Sequence, residues 1–323
     1  VTAIPGDTIH FFAARQAGTL ASGADQLLVR LHARRLATSY VSEYFIPYRM
    51  APGRMADLEA QLRTGPGAAP APINRDFAPV AYYFDVALWS SQFNQGYRRL
   101  FAAMAGAGFG AMAAAFAAML AALMVGGRFL TAGRRRTQFA AGFSTAATGF
   151  AMIGLEMLLL LAFQAVYGYV YRQLAVVIAA FMAGMALGSW LALRRGARGM
   201  RVLAVTQVLA AAAPLVLLGL IHALSRASGT LNLVASQIAF PALALASGML
   251  GGFEFPVASR MVQRPGRLYA LDLAGSCLGA VLFSAWLVPV FGFFKTALLS
   301  AMVSLGAAAM AMLEDSGHPL HRR

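Results

Sequence analysis

The chain has 323 residues, of which 59% are hydrophobic and only 12% charged, and its mean hydropathy is +0.66. A soluble domain keeps roughly a quarter of its residues charged, so these figures exclude an ordinary globule, a disordered chain and a disulfide-stapled secreted module. The net charge is +14. Residues 1–99 hold ten arginines against seven acids, +3, whereas residues 100–323 hold sixteen basic residues against five acids, +11, the pattern of basic loops between membrane spans rather than of a nucleic-acid surface.

Residues 1–99 read as a small soluble region of mixed α/β type, in which short apolar runs are broken by turn formers. Ile9 to Ala14, after the Pro5-Gly6 turn, reads as a buried strand. Asp25 to Leu36 places Leu28, Leu31 and Leu36 at near-helical spacing with arginines on the other faces, which predicts an amphipathic helix. A further short helix is expected from Gly53 to Arg63, and the Gly/Ala/Pro-rich stretch Thr64 to Pro72 reads as a loop. The N-terminus has neither the basic lead nor the continuous apolar core of a secretory signal.

From Leu100 onward seven stretches are long enough to cross a hydrocarbon core of about 30 Å: roughly 100–126, 139–168, 173–193, 202–224, 231–255, 270–291 and 296–313. The expected fold class is therefore mainly α, a polytopic bundle of about seven transmembrane helices behind a partial α/β region. Thirteen arginines follow the odd-numbered spans: Arg128 and 134–136; 194, 195, 198 and 201; 260, 264 and 267; 322 and 323. Only Arg172, Arg226 and Lys295 lie in the alternate loops, so the positive-inside rule puts the C-terminus in the cytoplasm and residues 1–99 outside. A lipid bilayer, in a bacterial cell the inner membrane, is the expected environment.

Glycines recur four apart in Gly184–Gly188, Gly248–Gly252 and Gly275–Gly279, a spacing that lets membrane helices pack backbone to backbone. The same spacing also suits a dimer interface or a hinge. Three acids, Glu156, Glu254 and Asp272, fall within or at the edges of the spans, where a carboxylate costs about 2.5 to 3.5 kcal/mol unless it meets a partner, a watery cavity or the interface. Glu156 reads as the deepest, either a cation or proton site or a structural hydrogen bond. For Glu254 and Asp272 the simpler expectation is pairing with Arg260 or Arg267. The aromatic groups Tyr167, Tyr169 and Tyr171, and Phe291, Phe293 and Phe294, read as interface belts.

The sequence lacks a Walker loop, a GxGxxG turn after a strand, an HExxH helix and a GxSxG elbow. Its single cysteine, Cys277, leaves no CxxC or thiolate zinc site, and five scattered histidines make no metal set. No catalytic residue, metal ligand or cofactor site is assigned within the chain.

The stretch Pro72-Ile-Asn74-Arg-Asp76-Phe-Ala-Pro-Val-Ala-Tyr82-Tyr83-Phe-Asp85, with Trp89 after it, resembles the segment that closes the catalytic domain of bacterial membrane-fused spermidine synthase-like proteins. Pro5-Gly6 with the following strand, and Tyr40 to Tyr48, are similar to the last third of that domain. Gly154-Leu-Glu156, Tyr167 to Tyr171, Phe181 to Ser189 and Tyr269 to Gly275 resemble its membrane part. The resemblance implies a Rossmann-like aminopropyltransferase-type domain anchored or regulated by a polytopic bundle, with a polyamine as a possible ligand. The family's nucleotide-binding turn and acidic motifs precede the resembled segment and do not occur here. The expectation is a chain that works with a missing N-terminal catalytic domain or a partner subunit, or one whose soluble region is a non-catalytic remnant. Because polyamines are cytosolic, residues 1–99 outside the membrane would conflict with the enzyme reading. Gly188 to Arg201 resembles the basic interhelical loop of major-facilitator carriers, so a transporter of a cationic or small solute is the first alternative and a scaffold subunit the second.

Overall fold

The computed structural model describes residues 1–316 except 7–8, 17, 22, 36–37, 39–40, 42, 65–72, 94–95, 97–98, 100–105, 107, 168–170 and 227–229. The expected loop between Thr64 and Pro72, Tyr40, Tyr169, most of the start of the first span, and Arg322 and Arg323 thus lie outside the described residues. The chain divides into two compact units, Val1–Ile73 and Asn74–Arg323.

In the first unit β1 (Thr2–Ile4) pairs antiparallel with β2 (His10–Phe12), Ala3 standing opposite Phe11. Three helices follow, α1 (Ala24–Ala33), α2 (Phe45–Arg49) and α3 (Pro52–Thr64). Their small core is Ala21, Ile46, Met50 and Leu58. The strand expected at Ile9 to Ala14 is shorter, and it is not buried: Phe11 is 60% and Phe12 47% exposed, since a two-stranded ribbon has no further layer to cover both faces. A Rossmann-like arrangement needs parallel strands; the sheet among the described residues is this one antiparallel pair.

The described residues of the second unit are mostly helical: α4 (Val80–Phe93), α5 (Phe109–Leu130), α6 (Arg134–Tyr167), α7 (Tyr171–Arg194), α8 (Met200–Arg226), α9 (Thr230–Ser259), α10 (Pro265–Leu282) and α11 (Gly292–Ser316). A π-helical segment, Phe283–Phe291, joins the last two. Among the described residues six helical runs are long and apolar enough to cross a membrane, not the seven expected, because the last two expected spans form one continuous run, Pro265–Asp315. That run reverses at Gly292, whose φ of +74° and ψ of 176° leave the helical region and favour a residue without a Cβ.

The contacts fix the direction of each helix. α6 and α10 run parallel, with Gly142 against Leu271, Ala146 against Gly275, Phe150 against Gly279 and Gly154 against Phe283. α11 returns antiparallel, so that Glu314 near its end reaches Arg136 and Thr137 at the start of α6. α7 and α9 run parallel, Gly184 against Leu245 and Gly188 against Met249. The apolar core accordingly forms two layers. A basal one gathers helix ends, with Ala140, Ala141, Ala192, Leu203, Val257, Leu268 and Ala311. A distal one holds Leu155, Leu158, Phe163, Phe181, Leu217, Phe240, Phe283 and Phe293. The arginines of the α5–α6, α7–α8 and α9–α10 junctions fall at the basal end. There Arg260 donates to the Ala197 and Leu193 carbonyls, at 2.9 and 3.5 Å, and ties two of those junctions together.

Candidate functional site

Between the two apolar layers lies a belt of buried polar side chains. On α6, Ser144 and Thr148 are one turn apart and therefore share a face; Thr206 and Gln207 come from α8, and Glu254 from α9. Glu254 is 1% exposed and Gln207 fully buried. Thr148 Oγ1 donates to Glu254 Oε2 at 2.6 Å, and Gln207 Nε2 lies 2.9 Å from Glu254 Oε1, 2.7 Å from Thr148 Oγ1 and 2.8 Å from the Ser144 carbonyl. Thr206 Oγ1 is 3.4 Å from Glu254 Oε2 and 2.8 Å from the Leu203 carbonyl. Two atoms of the cluster, Gln207 Oε1 and Ser144 Oγ, are buried without a hydrogen-bond partner among the described residues.

Asp272 on α10 is half-buried beside this belt: its backbone oxygen and Oδ1 crowd Gly149, where a Cβ would lie 2.4 and 2.8 Å from them. Glu156 stands apart. It is 6% exposed and sits eight residues along α6 from Thr148, about 12 Å at the helical rise, and no hydrogen bond joins its side chain to another described residue. Glu254 is thus more enclosed by protein than Glu156. Its partners are neutral groups rather than an arginine, and Arg260 is engaged with backbone carbonyls.

Sequence reasoning missed Thr148, Thr206 and Gln207. The available signal was an amide and hydroxyls inside otherwise apolar runs, Ser144-Thr-Ala-Ala-Thr148 and Ala204-Val-Thr-Gln-Val208, with Ser144 and Thr148 at one-turn spacing.

The residues of the family-like stretch take structural places. Asn74 Oδ1 accepts the Ala81 N–H at 3.0 Å at the start of α4, satisfying one of the donors a helix start leaves free. Arg75 and Ala78 exchange backbone hydrogen bonds around a tight turn in which Asp76 is exposed. The turn presents Phe77, whose carbonyl accepts the Phe293 N–H at 3.0 Å and whose ring packs edge-on against Phe293 at 5.5 Å. Phe293 is consequently 2% exposed, a core residue rather than a belt anchor, while Phe294 is 63% exposed. Tyr82 is 48% exposed; Tyr83 packs against the Phe84 ring, and burial pushes its phenol up from the ordinary value.

No family model, no curated protein and no solved structure matches the chain. The geometry of the belt is therefore the basis for a functional reading.

Proposed function

We propose that the bundle is a cation-handling membrane module in which Glu254 holds one small monovalent cation, a proton or a sodium ion, so that the transporter alternative takes precedence over a purely anchoring role. One observation carries this reading: a carboxylate 1% exposed, held by neutral donors from two other helices, with no ion pair to a described residue. A carboxylate so enclosed is costly when ionised and uncompensated, and intramembrane acids of this kind serve ion and proton paths. The orphaned Gln207 Oε1 and Ser144 Oγ are oxygens suited to a hard cation. With Gln207 fully buried and Thr148 and Thr206 each 5% exposed, the enclosure suits a proton or a bare ion rather than an extended polyamine.

The same reading takes the run Pro265–Asp315 as two crossings, for seven in all, with the basal arginines and the C-terminus in the cytoplasm of a bacterial inner membrane. The spermidine synthase-like relationship, with the bundle anchoring a transferase domain, is the alternative, and it rests on the Pro72–Asp85 stretch.

The test is flux in proteoliposomes made with the full chain. A pH gradient and a sodium gradient, imposed in turn on a pH-reporting and a sodium-reporting vesicle set, distinguish the two cations. Wild-type protein is expected to move one of them, and Glu254→Gln, with an unchanged gel-filtration profile, to move neither. Equal flux from Glu254→Gln and wild type would overturn the proposal and leave the belt as interhelical glue.

A further inference from the structure

Two of the helices that build the polar belt, α8 and α9, frame with α7 an apolar groove on the outside of the second unit. Met249, Leu250 and Phe253 of α9 form its floor. Gly188 and Leu191 of α7 form one wall and Val202, Val205, Thr206 and Leu209 of α8 the other, enclosing about 480 Å³. Gly188 lets α7 lie so close on α9 that a Cβ at 188 would meet the Met249 carbonyl oxygen at 2.1 Å. From Val202 to Leu209 the groove follows α8 for about 10 Å.

The groove ends at Arg201, which also lines it. This arginine is exposed, and no hydrogen bond or ion pair engages it among the described residues. Arg194, 4.9 Å from the centre of the Trp190 ring, lies in the last turn of α7 at the same basal end, and a tryptophan with a stacked arginine is a pairing suited to the headgroup level. Arg195, Arg198, Arg264 and Arg267 add positive charge to this end, while Glu314 is occupied by Arg136.

We propose that this groove is a site for an anionic phospholipid, one acyl chain lying along α9 between α7 and α8 and the phosphate meeting Arg201. Apolar walls alone would accept any lipid; the arginine at the mouth selects a headgroup with net negative charge, since the attraction falls off within a Debye length and favours the nearest phosphate. The groove shares Thr206 with the Glu254 cluster, but its occupant would meet Arg201 and the apolar walls, so the assignment does not depend on cation handling.

The experiment is native mass spectrometry of the delipidated full chain in detergent, titrated with dioleoylphosphatidylglycerol or dioleoylphosphatidylcholine. Wild-type protein is expected to retain one phosphatidylglycerol preferentially. Arg201→Gln is expected to weaken that retention about five-fold, and Val205→Trp, which fills the groove from a position 51% exposed, to abolish it. Val208→Trp, also exposed but outside the groove, is the control for folding and should bind as wild type does. Equal retention of phosphatidylcholine, unaltered binding by Val205→Trp, or equal binding of the deacylated glycerophosphoglycerol headgroup would each overturn the assignment.

Discussion

Gly188 on α7 and Met249 on α9 meet backbone to backbone: a Cβ at 188 would stand 2.1 Å from the Met249 carbonyl oxygen. The contact is reciprocal, for Gly248 and Gly252 face the Phe181 and Met185 carbonyls at the same 2.1 Å, and Ser189 Oγ donates to the Gly252 carbonyl at 2.8 Å. Because the obstructing atoms are backbone, no side-chain rotation relieves a clash. Gly188→Ala is expected to cost about 1–3 kcal/mol by overpacking and to lower the thermal midpoint in detergent. Gly219→Ala, in α8 with open space where its Cβ would go, should not lower it. Equal midpoints for the two variants would count against the close crossing.

The belt allows a sharper measurement. Thr148 Oγ1 both donates to Glu254 and lies in reach of the Gln207 amide, so Thr148→Val removes two contacts while keeping the volume. Hydrogen bonds between membrane helices are worth about 0.6 kcal/mol on average and up to about 1.7; a loss of about 1 kcal/mol in an unfolding titration is the expected outcome. Glu254→Gln retains acceptor and donor capacity and should lose less than Glu254→Leu, which leaves Gln207 and Thr148 without their partner. If the leucine variant proves the more stable, the belt contributes nothing to cohesion.

At the basal end, Arg136 and Glu314 join the start of α6 to the end of α11, and Thr137 Oγ1 adds a second donor to Glu314 at 3.1 Å. The carboxylate side chain is 8% exposed and the guanidinium 26%, so breaking the pair leaves a largely enclosed charge, and about 1–3 kcal/mol of stability is at stake. Glu314→Ala and Arg136→Ala should each lower the melting temperature. The exchange Arg136→Glu with Glu314→Arg should recover part of the loss, and a double variant no better than the sum of the singles would exclude direct pairing.

How far the sequence disclosed this arrangement differs from element to element. The long apolar runs announced themselves because hydropathy is summed over some twenty residues, and the glycine spacings at 184/188, 248/252 and 275/279 correspond to backbone approaches inside the chain. Glu254 could be singled out as a carboxylate in an apolar helix. Its neighbours could not, since Thr148 and Gln207 lie 106 and 47 residues away and only helix packing brings them together. The strand at Phe11 and Phe12 looked buried for the opposite reason: an apolar run says that a partner layer is needed, and says nothing of whether one is present. The break at Gly292 is equally local, a single positive φ inside a run whose composition barely changes.

On the seven-crossing proposal, that break separates the last two crossings. A straight helix of the 51 residues from Pro265 to Asp315 would be about 77 Å long at 1.5 Å per residue, more than twice a hydrocarbon core. Its two ends instead meet the same end of α6, Leu271 at Gly142 and Glu314 at Arg136, while its middle, Phe293, meets Phe77. Single cysteines introduced into a Cys277→Ala background report the sides. Arg264→Cys and Asp315→Cys should react with a membrane-impermeant maleimide only when the cytoplasmic face is opened, and Lys295→Cys from the outside of intact cells. Labelling of Lys295→Cys from the cytoplasmic face would reduce the run to a re-entrant hairpin, and labelling of Arg264→Cys and Asp315→Cys from opposite faces would remove the second crossing.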